Sequence, residues 1–361
     1  MTMVSCAVGP GTRRRTLVVA AVALALWPHA PGAQPQQPFV EHVDVTRVLI
    51  DARVFDDRGR PIADLGPSDF AVKIGGRAAR VESAEWIGGA PSRTATGADV
   101  ARADVSGADV TRAGPPGRLV VFLVQKDLEP ARILGLMQVS RLVDTLLQPL
   151  TRDDRAAVLS FDSRLRVWTD FTNDFGRVRS VLADDVLLRH PGPVVASRDV
   201  SLMAGLDKDA TPRIFEIEQA LRHIAGRLEP LAGAKSLVML GYGFGRYDAR
   251  ANAVTLMDGY EEAAAALQRA RVAVFSLNVT QAHFNSLQAG LQTVSAETGG
   301  LYASTYEFPA WAVRRVSHAL AGHYVLFVEK PDLREGVHRL EIRLTARRGT
   351  VVARHSYVEA R

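Results

Sequence analysis

Cysteine is nearly absent: the chain of 361 residues has one, Cys6. With no second thiol there is no intrachain disulfide, and a cysteine-ligated metal site or a paired redox motif is excluded. Long apolar runs are also scarce. The longest, Leu17 to Trp27, has eleven residues, short of the roughly 20 that a membrane-spanning helix needs. Nor does either sign of charge dominate, with 44 Lys and Arg against 39 Asp and Glu. No G-x-S-x-G elbow occurs, and the glycines of Leu240 to Gly245 are spaced G-x-G-x-G, not as in a dinucleotide-binding loop.

The apolar run does have a context. Three arginines, Arg13 to Arg15, precede it and a small-residue stretch ends at Ala33, the layout of a secretory signal peptide over residues 1–33. The arginines also allow a twin-arginine export route, but three basic residues are common at the start of any signal peptide and make that a weak signal. Removal of this segment takes Cys6 with it and lowers the formal charge from +5 to +2. The expected location is therefore secreted or periplasmic, with no integral span after cleavage. A nucleic-acid partner has no electrostatic support.

Residues 38–87 alternate apolar and polar positions, with turn chemistry at Asp56 to Gly59 and at Ile74-Gly75-Gly76, so they are expected to form short antiparallel strands. Residues 88–117 carry three Ala-Asp-Val units among Gly, Ser and Pro and no aromatic residue. That composition reads as a flexible linker.

From Gly117 the pattern changes to strand, helix, strand over residues 118–321. The apolar runs at 119–124, 156–161, 235–240 and 272–277 have strand length, and the intervening segments have helical spacing. A helix is expected over Pro212 to Leu228 with Thr211 as its cap, and a long one over Ala251 to Arg271. Residues 188–211 read as a long irregular insert facing the binding edge. Residues 322–361 revert to strands and are expected to complete the thin N-terminal sheet. The fold class expected is α/β: a doubly wound, mostly parallel, Rossmann-like sheet with a small flanking β-domain built from the N- and C-terminal segments.

His318 and His323, five residues apart, are off metal-pair register and read as surface or helix-end residues. Trp86, Trp168 and Trp311 read as core anchors.

Four stretches in this order carry a family resemblance: RPIADLGPSDFAVKIGGRAARVESAEW, LTRDDRAAVLSFDSRLRVWTDFTNDFGRVRSVL, ALQRARVAVFSLNV with ETGGLYA, and HYVLFVEK through ARHSYVEAR. The chain from Phe39 resembles a von Willebrand factor type A domain, and more narrowly the secreted bacterial VWFA-related group found in acidobacteria. The resemblance implies a divalent-cation site at the strand ends, made of Asp-x-Ser-x-Ser, a threonine and a second aspartate. Laid on that pattern, Gln125, Asp127 and Glu129 occupy the first motif, Thr211 the threonine, and Tyr242 the second aspartate. Both signature aspartates are missing, and Lys126 adds a competing positive charge.

The function expected is a non-enzymatic adhesion or scaffold module with a degenerate metal site. It has no catalytic residues and no cofactor, and it meets a protein or other extracytoplasmic macromolecule through Gln125, Asp127, Glu129, Thr211 and Tyr242. The alternatives are a Mg, Mn or Ca adhesion site using Asp127, Glu129 and Thr211, a hydrolase with its site between the domains, and a purely structural envelope protein.

Overall fold

A computed structural model describes residues 47–89, 117–205, 214–251 and 253–359. The signal segment, Thr211 and all but the ends of the 88–117 stretch lie outside the described residues.

Strand β1 (Arg47–Phe55) buries Val48, Ile50, Ala52 and Val54, the period-two pattern read from its sequence. It is followed by β2 (Phe70–Ile74), β3 (Arg77–Ala79) and β4 (Val81–Gly88). β2 and β3 pair through Ile74 and Arg77, and the two residues between them, Gly75 and Gly76, have φ of 60° and 79°. A two-residue turn with both central φ positive is the type I′ geometry that matches strand twist and favours glycine.

The second architecture begins at β5 (Leu119–Gln125), which is buried at every position. Its side chains alternate between two cores. Val120, Phe122 and Val124 join the core beneath α1 (Pro130–Ser140), α2 (Val143–Leu147) and α3 (Phe175–Ser180), while Leu119, Val121 and Leu123 join the opposite one. A strand covered on both faces needs apolar residues at consecutive positions, which is why the run does not alternate. β6 (Arg155–Phe161) and β7 (Leu165–Thr172) form the expected hairpin, turned at Asp162 and Ser163, the latter with φ of 67°.

The helix after α3 passes through a π-turn into the short α4 (Val186–Leu188). The irregular stretch beyond it is held by one buried carboxylate: Asp170 accepts from the Ser197 and Leu202 N–H groups (2.9 and 2.8 Å) and from the Ser201 hydroxyl (2.5 Å).

Helix α5 (Ile217–Leu228) turns Ile217, Ala220, Leu221, Ile224, Ala225 and Leu228 into the second core. It starts at Ile217, not at Pro212, because residues 214–216 are non-helical and Glu216 is the N-cap. The cap expected at Thr211 falls outside the described residues. After β8 (Lys235–Gly241), the expected long helix is also shorter. β9 (Arg246–Asp248) pairs with β10 (Ala253–Thr255), whose Val254 and Thr255 are β-branched, and only Tyr260–Arg269 is helical (α6). β11 (Val272–Asn278), α7 (Gln288–Glu297), β12 (Tyr302–Ser304) and α8 (Pro309–Leu320) complete this part.

The six-stranded sheet has the order β12-β11-β8-β5-β6-β7, with only β7 antiparallel. The fold is thus α/β with a central mixed, mostly parallel sheet. The strand order reverses between β5 and β8, which opens a crevice at their carboxyl ends, the usual place for a ligand in an open α/β sheet.

The C-terminal strands are β13 (Gly322–Glu329), β14 (Gly336–Leu344), β15 (Thr350–Ala353) and β16 (Ser356–Glu359). They do not complete one thin sheet. Instead they build two sheets of four strands, β15-β1-β13-β4 and β16-β14-β2-β3, over a shared core. The described residues cluster as one compact unit.

Tyr324 anchors the shared core, its ring edge-on to Phe70 and Trp86 at 5.2 and 5.1 Å, its hydroxyl accepting from the Leu65 N–H at 2.9 Å. Tyr324→Phe keeps the ring and strands that buried N–H. We expect a loss of about 1–2 kcal/mol in chemical denaturation, and an unchanged midpoint would show that water replaces the hydroxyl. Trp311, read as a core residue, is 51 % exposed and lies against Arg315. His323, read as a surface residue, is buried because β13 turns it inward beside Asp51.

Candidate functional site

The crevice between β5 and β8 is closed by amides. Gln125 ends β5 and is 3 % exposed. Its Oε1 accepts from the Tyr242 and Gly243 N–H groups, both at 3.2 Å, and its Nε2 donates to the Gly243 carbonyl at 2.9 Å. Gly241 makes room for this clasp: a Cβ there would lie 2.5 Å from Gln125 Oε1. Beside it, Asn285 Nδ2 donates to the Tyr242 carbonyl and to Thr280 Oγ1 (3.1 Å), and Asn278 Nδ2 donates to the Tyr302 hydroxyl (3.1 Å). Neutral side chains thus satisfy the strand ends.

The acidic residues lie one step outward. Pro130 occupies the first turn of α1, where its missing N–H costs nothing. Asp127 Oδ1 accepts from the Glu129 N–H at 3.0 Å, an Asx turn that leads into the helix. That geometry brings Arg132 back over the turn. Its guanidinium donates to Asp127 Oδ2, its Nε lies 2.7 Å from Glu129 Oε2 without hydrogen-bond alignment, and its carbon sits 4.0 Å from the centre of the Tyr242 ring. A cation over an aromatic face is attracted by the ring quadrupole. The structure therefore brings Gln125, Asp127, Glu129 and Tyr242 to one rim. Thr211 lies outside the described residues. Asp248 serves a turn of its own, accepting from the Arg250 N–H at 2.8 Å.

The charges follow from these contacts. Burial pushes the Asp127 carboxyl up, but the Glu129 N–H and the Arg132 charge outweigh it and hold Asp127 below the ordinary carboxylate value. Burial, with Asp127 nearby, pushes the Tyr242 phenol up. Lys126 is pushed down by burial against a partial offset from Asp162, 3.9 Å away.

Arg132 was missed in the sequence. The signal was its spacing of three from Glu129 at a helix start, where side chains share a face. Asn278 and Asn285 carried no comparable signal.

Next to the rim is a groove of about 930 Å³. Leu128, Met137, Leu187, Leu188, Phe215 and Tyr242 line it, and Leu128, Leu188 and Phe215 are 90, 86 and 62 % exposed. Three cations face it, Lys126, Arg141 and Arg166. Asp162 serves both Lys126 and Arg166, and Arg141 has no carboxylate partner among the described residues.

No family model matches the chain, and no curated protein matches it. Solved structures do. A conserved hypothetical protein, BatB, from Bacteroides thetaiotaomicron is 14 % identical over 56 % of this chain and 97 % of its own, with a TM-score of 0.35. A von Willebrand factor type A protein from Catenulispora acidiphila is 10 % identical over 84 % of this chain and 74 % of its own, with a TM-score of 0.40. An aerotolerance-related membrane protein from Bacteroides fragilis is 12 % identical over 56 % of this chain and 96 % of its own, with a TM-score of 0.35. Among the described residues no helix is long and apolar enough to cross a membrane, and no group of three His, Cys, Asp or Glu side chains is placed to hold a metal ion.

Proposed function

We propose that this chain is a non-enzymatic interaction module of the secreted bacterial VWFA-related kind, which docks a macromolecular partner at the strand-end rim without a divalent cation. The observation that carries this reading is Arg132. A hard divalent ion requires free oxygen ligands in octahedral array, whereas here Asp127 and Glu129 hold a guanidinium and Gln125 is spent on the backbone of the neighbouring loop. These residues do not fit the metal that the family resemblance implies. Arg132 supplies a tethered positive charge in its stead, and the stacked Tyr242 fixes its position.

The partner surface is the rim together with the groove beside it. Its exposed leucines and Phe215 suit an apolar, extended segment, and the excess of Lys126, Arg141 and Arg166 over Asp162 and the Arg132-bound Asp127 suits one that bears a carboxylate. The two four-stranded sheets act as a flanking domain that presents this face, and export by the 1–33 segment places it in the periplasm or outside the cell.

A displayed library of extended peptides, selected on the full chain with and without EDTA, tests this. Enriched peptides should combine apolar residues with Asp or Glu, bind equally with chelator, and weaken about tenfold or more on Leu188→Asp or Phe215→Asp. Binding that EDTA abolishes, or that neither substitution changes, overturns the reading.

A further inference from the structure

At the opposite end of the central sheet, where β8 and β11 begin, a second cavity of about 280 Å³ lies against β1 and β13. Its walls carry four permanent cations, Arg53, Lys235, Arg271 and Arg354, and two carboxylates, Asp51 and Glu297. Both carboxylates are already engaged. Asp51 receives two hydrogen bonds from Arg271, at 2.5 and 3.1 Å, with His323 Nε2 at 3.5 Å, and Glu297 accepts from the Tyr260 hydroxyl at 2.6 Å.

Among the described residues no carboxylate lies within ion-pair distance of the other three cations, and the Asp51 charge reaches them only from farther off. Arg53 is 3 % exposed and donates only to backbone carbonyls, those of Ala319 and Gly299, both at 3.2 Å. Lys235 Nζ reaches the Ala270 carbonyl at 3.3 Å. Arg354 donates to the Leu49 carbonyl at 3.2 Å, and its buried Nε has no hydrogen-bond partner.

Carbonyl dipoles satisfy donors but do not cancel charge, so three positive groups share one small, partly dehydrated space. Their titration follows suit. Burial pushes Arg53 down to about 10 and lowers Lys235 and Arg354, Arg271 adding to the fall of the last two, while the Asp51 charge offsets part of the fall in all three. A buried charge left unpaired is costly, and a buried donor left unpaired adds to that cost.

We propose that this cavity is a binding site for a small dianionic oxyanion, phosphate or a phosphomonoester, held by Lys235 and Arg354 with Arg53 behind them. The lining has two positive charges in excess, which matches a phosphate group of about −1.5 to −2 at neutral pH. Guanidinium groups suit phosphate because their N–H forks match its oxygens. Leu49 and Val325 add apolar wall that the organic part of a monoester would touch. The site is distinct from the strand-end rim and does not depend on the function proposed for it.

Isothermal titration of the full chain with inorganic phosphate and, separately, glycerol 3-phosphate, at fixed ionic strength in chloride, decides the matter. We expect saturable one-to-one binding, tighter for the monoester if the apolar wall is used and equal if only the phosphate is read. Lys235→Gln and Arg354→Gln should each weaken it about tenfold, a charge-assisted contact being lost. Both variants relieve repulsion, so their melting temperatures without phosphate should be unchanged or higher, and if one fails to fold the other decides. Leu188→Asp, at the rim groove, should leave phosphate binding intact. The proposal is overturned by the absence of saturable heat with either phosphate, by affinity unchanged in the folded variants, or by binding of succinate where phosphate is silent.

Discussion

Asp154→Ala is expected to lower the unfolding free energy by about 3–5 kcal/mol, with a fall in melting temperature of order 10 °C. Asp154 is 2 % exposed and accepts from the Arg118 N–H (2.9 Å), Nε (2.9 Å) and Nη2 (2.5 Å), and from the Thr151 N–H (2.7 Å) and hydroxyl (3.0 Å). Arg118 in turn donates to the carbonyls of Leu320 (2.5 Å), Ala321 (2.9 Å) and Pro149 (2.9 Å). This one ion pair ties the start of β5 to the loop before β6 and to the end of α8 where β13 begins. Deleting the carboxylate abandons a guanidinium inside the protein, which costs far more than the pair was worth in the intact fold.

The same pair sets part of the acid response. Burial pushes Asp154 up, but the Arg118 and Thr151 hydrogen bonds and the Arg118 charge outweigh it, so the folded-state pKa lies below the unfolded value of about 3.9. Its contribution is therefore complete above the unfolded pKa and is lost as pH falls from there through the folded one. Wild type should lose stability on acidification below about pH 4, and Asp154→Ala should show a flatter acid limb in urea titrations followed by circular dichroism. An Asp154→Ala protein with the wild-type melting temperature and the same acid limb would show that the pair is structurally idle.

Much of this architecture is legible one strand at a time. The unbroken apolar run of β5 announced a strand covered on both faces, and the alternation in β1 a strand covered on one. Gly75-Gly76 fixed a turn that few other residues can make. What the sequence conceals are choices made by tertiary contacts. Val254 and Thr255 sit in a stretch with helical spacing, yet they pair with β9. The C-terminal strands have no local mark that assigns β13 and β15 to one sheet and β14 and β16 to the other, because pairing partners are set by long-range packing.

At the rim the difficulty was one of reach. Asp127 and Glu129 stood out as potential metal ligands, and Lys126 as the competing charge. The side chain that meets both acids is Arg132, and seeing that requires knowing that the helix starts at Pro130 and that Asp127 turns into it. Gln125 stands where the resemblance places an aspartate, and both ends of its amide are engaged with the Tyr242 and Gly243 backbone, a clasp with no local mark in the sequence.

Removal of that clasp should be the second large effect. Gln125→Ala strands the Tyr242 and Gly243 N–H groups and the Gly243 carbonyl together, in a place where Gln125 itself is almost fully buried. With each unsatisfied buried group costing about 1–3 kcal/mol and some water admitted at the rim, a net loss of about 2–4 kcal/mol is expected. The loop that carries Tyr242 loosens as well, so Arg132 loses its aromatic platform and peptide binding at the rim falls with stability.

Gln125→Asp separates this account from a latent metal site. Aspartate is one methylene shorter, cannot span to both Tyr242 and Gly243, and places a carboxylate at a buried position near the partly exposed Asp127. If the rim is an amide clasp over a tethered guanidinium, Gln125→Asp is at least as unstable as Gln125→Ala, and millimolar Mg2+ does not rescue it. A melting temperature that climbs by several degrees when Mg2+ is added to Gln125→Asp would mean that Arg132 yields its acids readily. The rim would then be a metal site one substitution from activity, and the metal-free reading would fail.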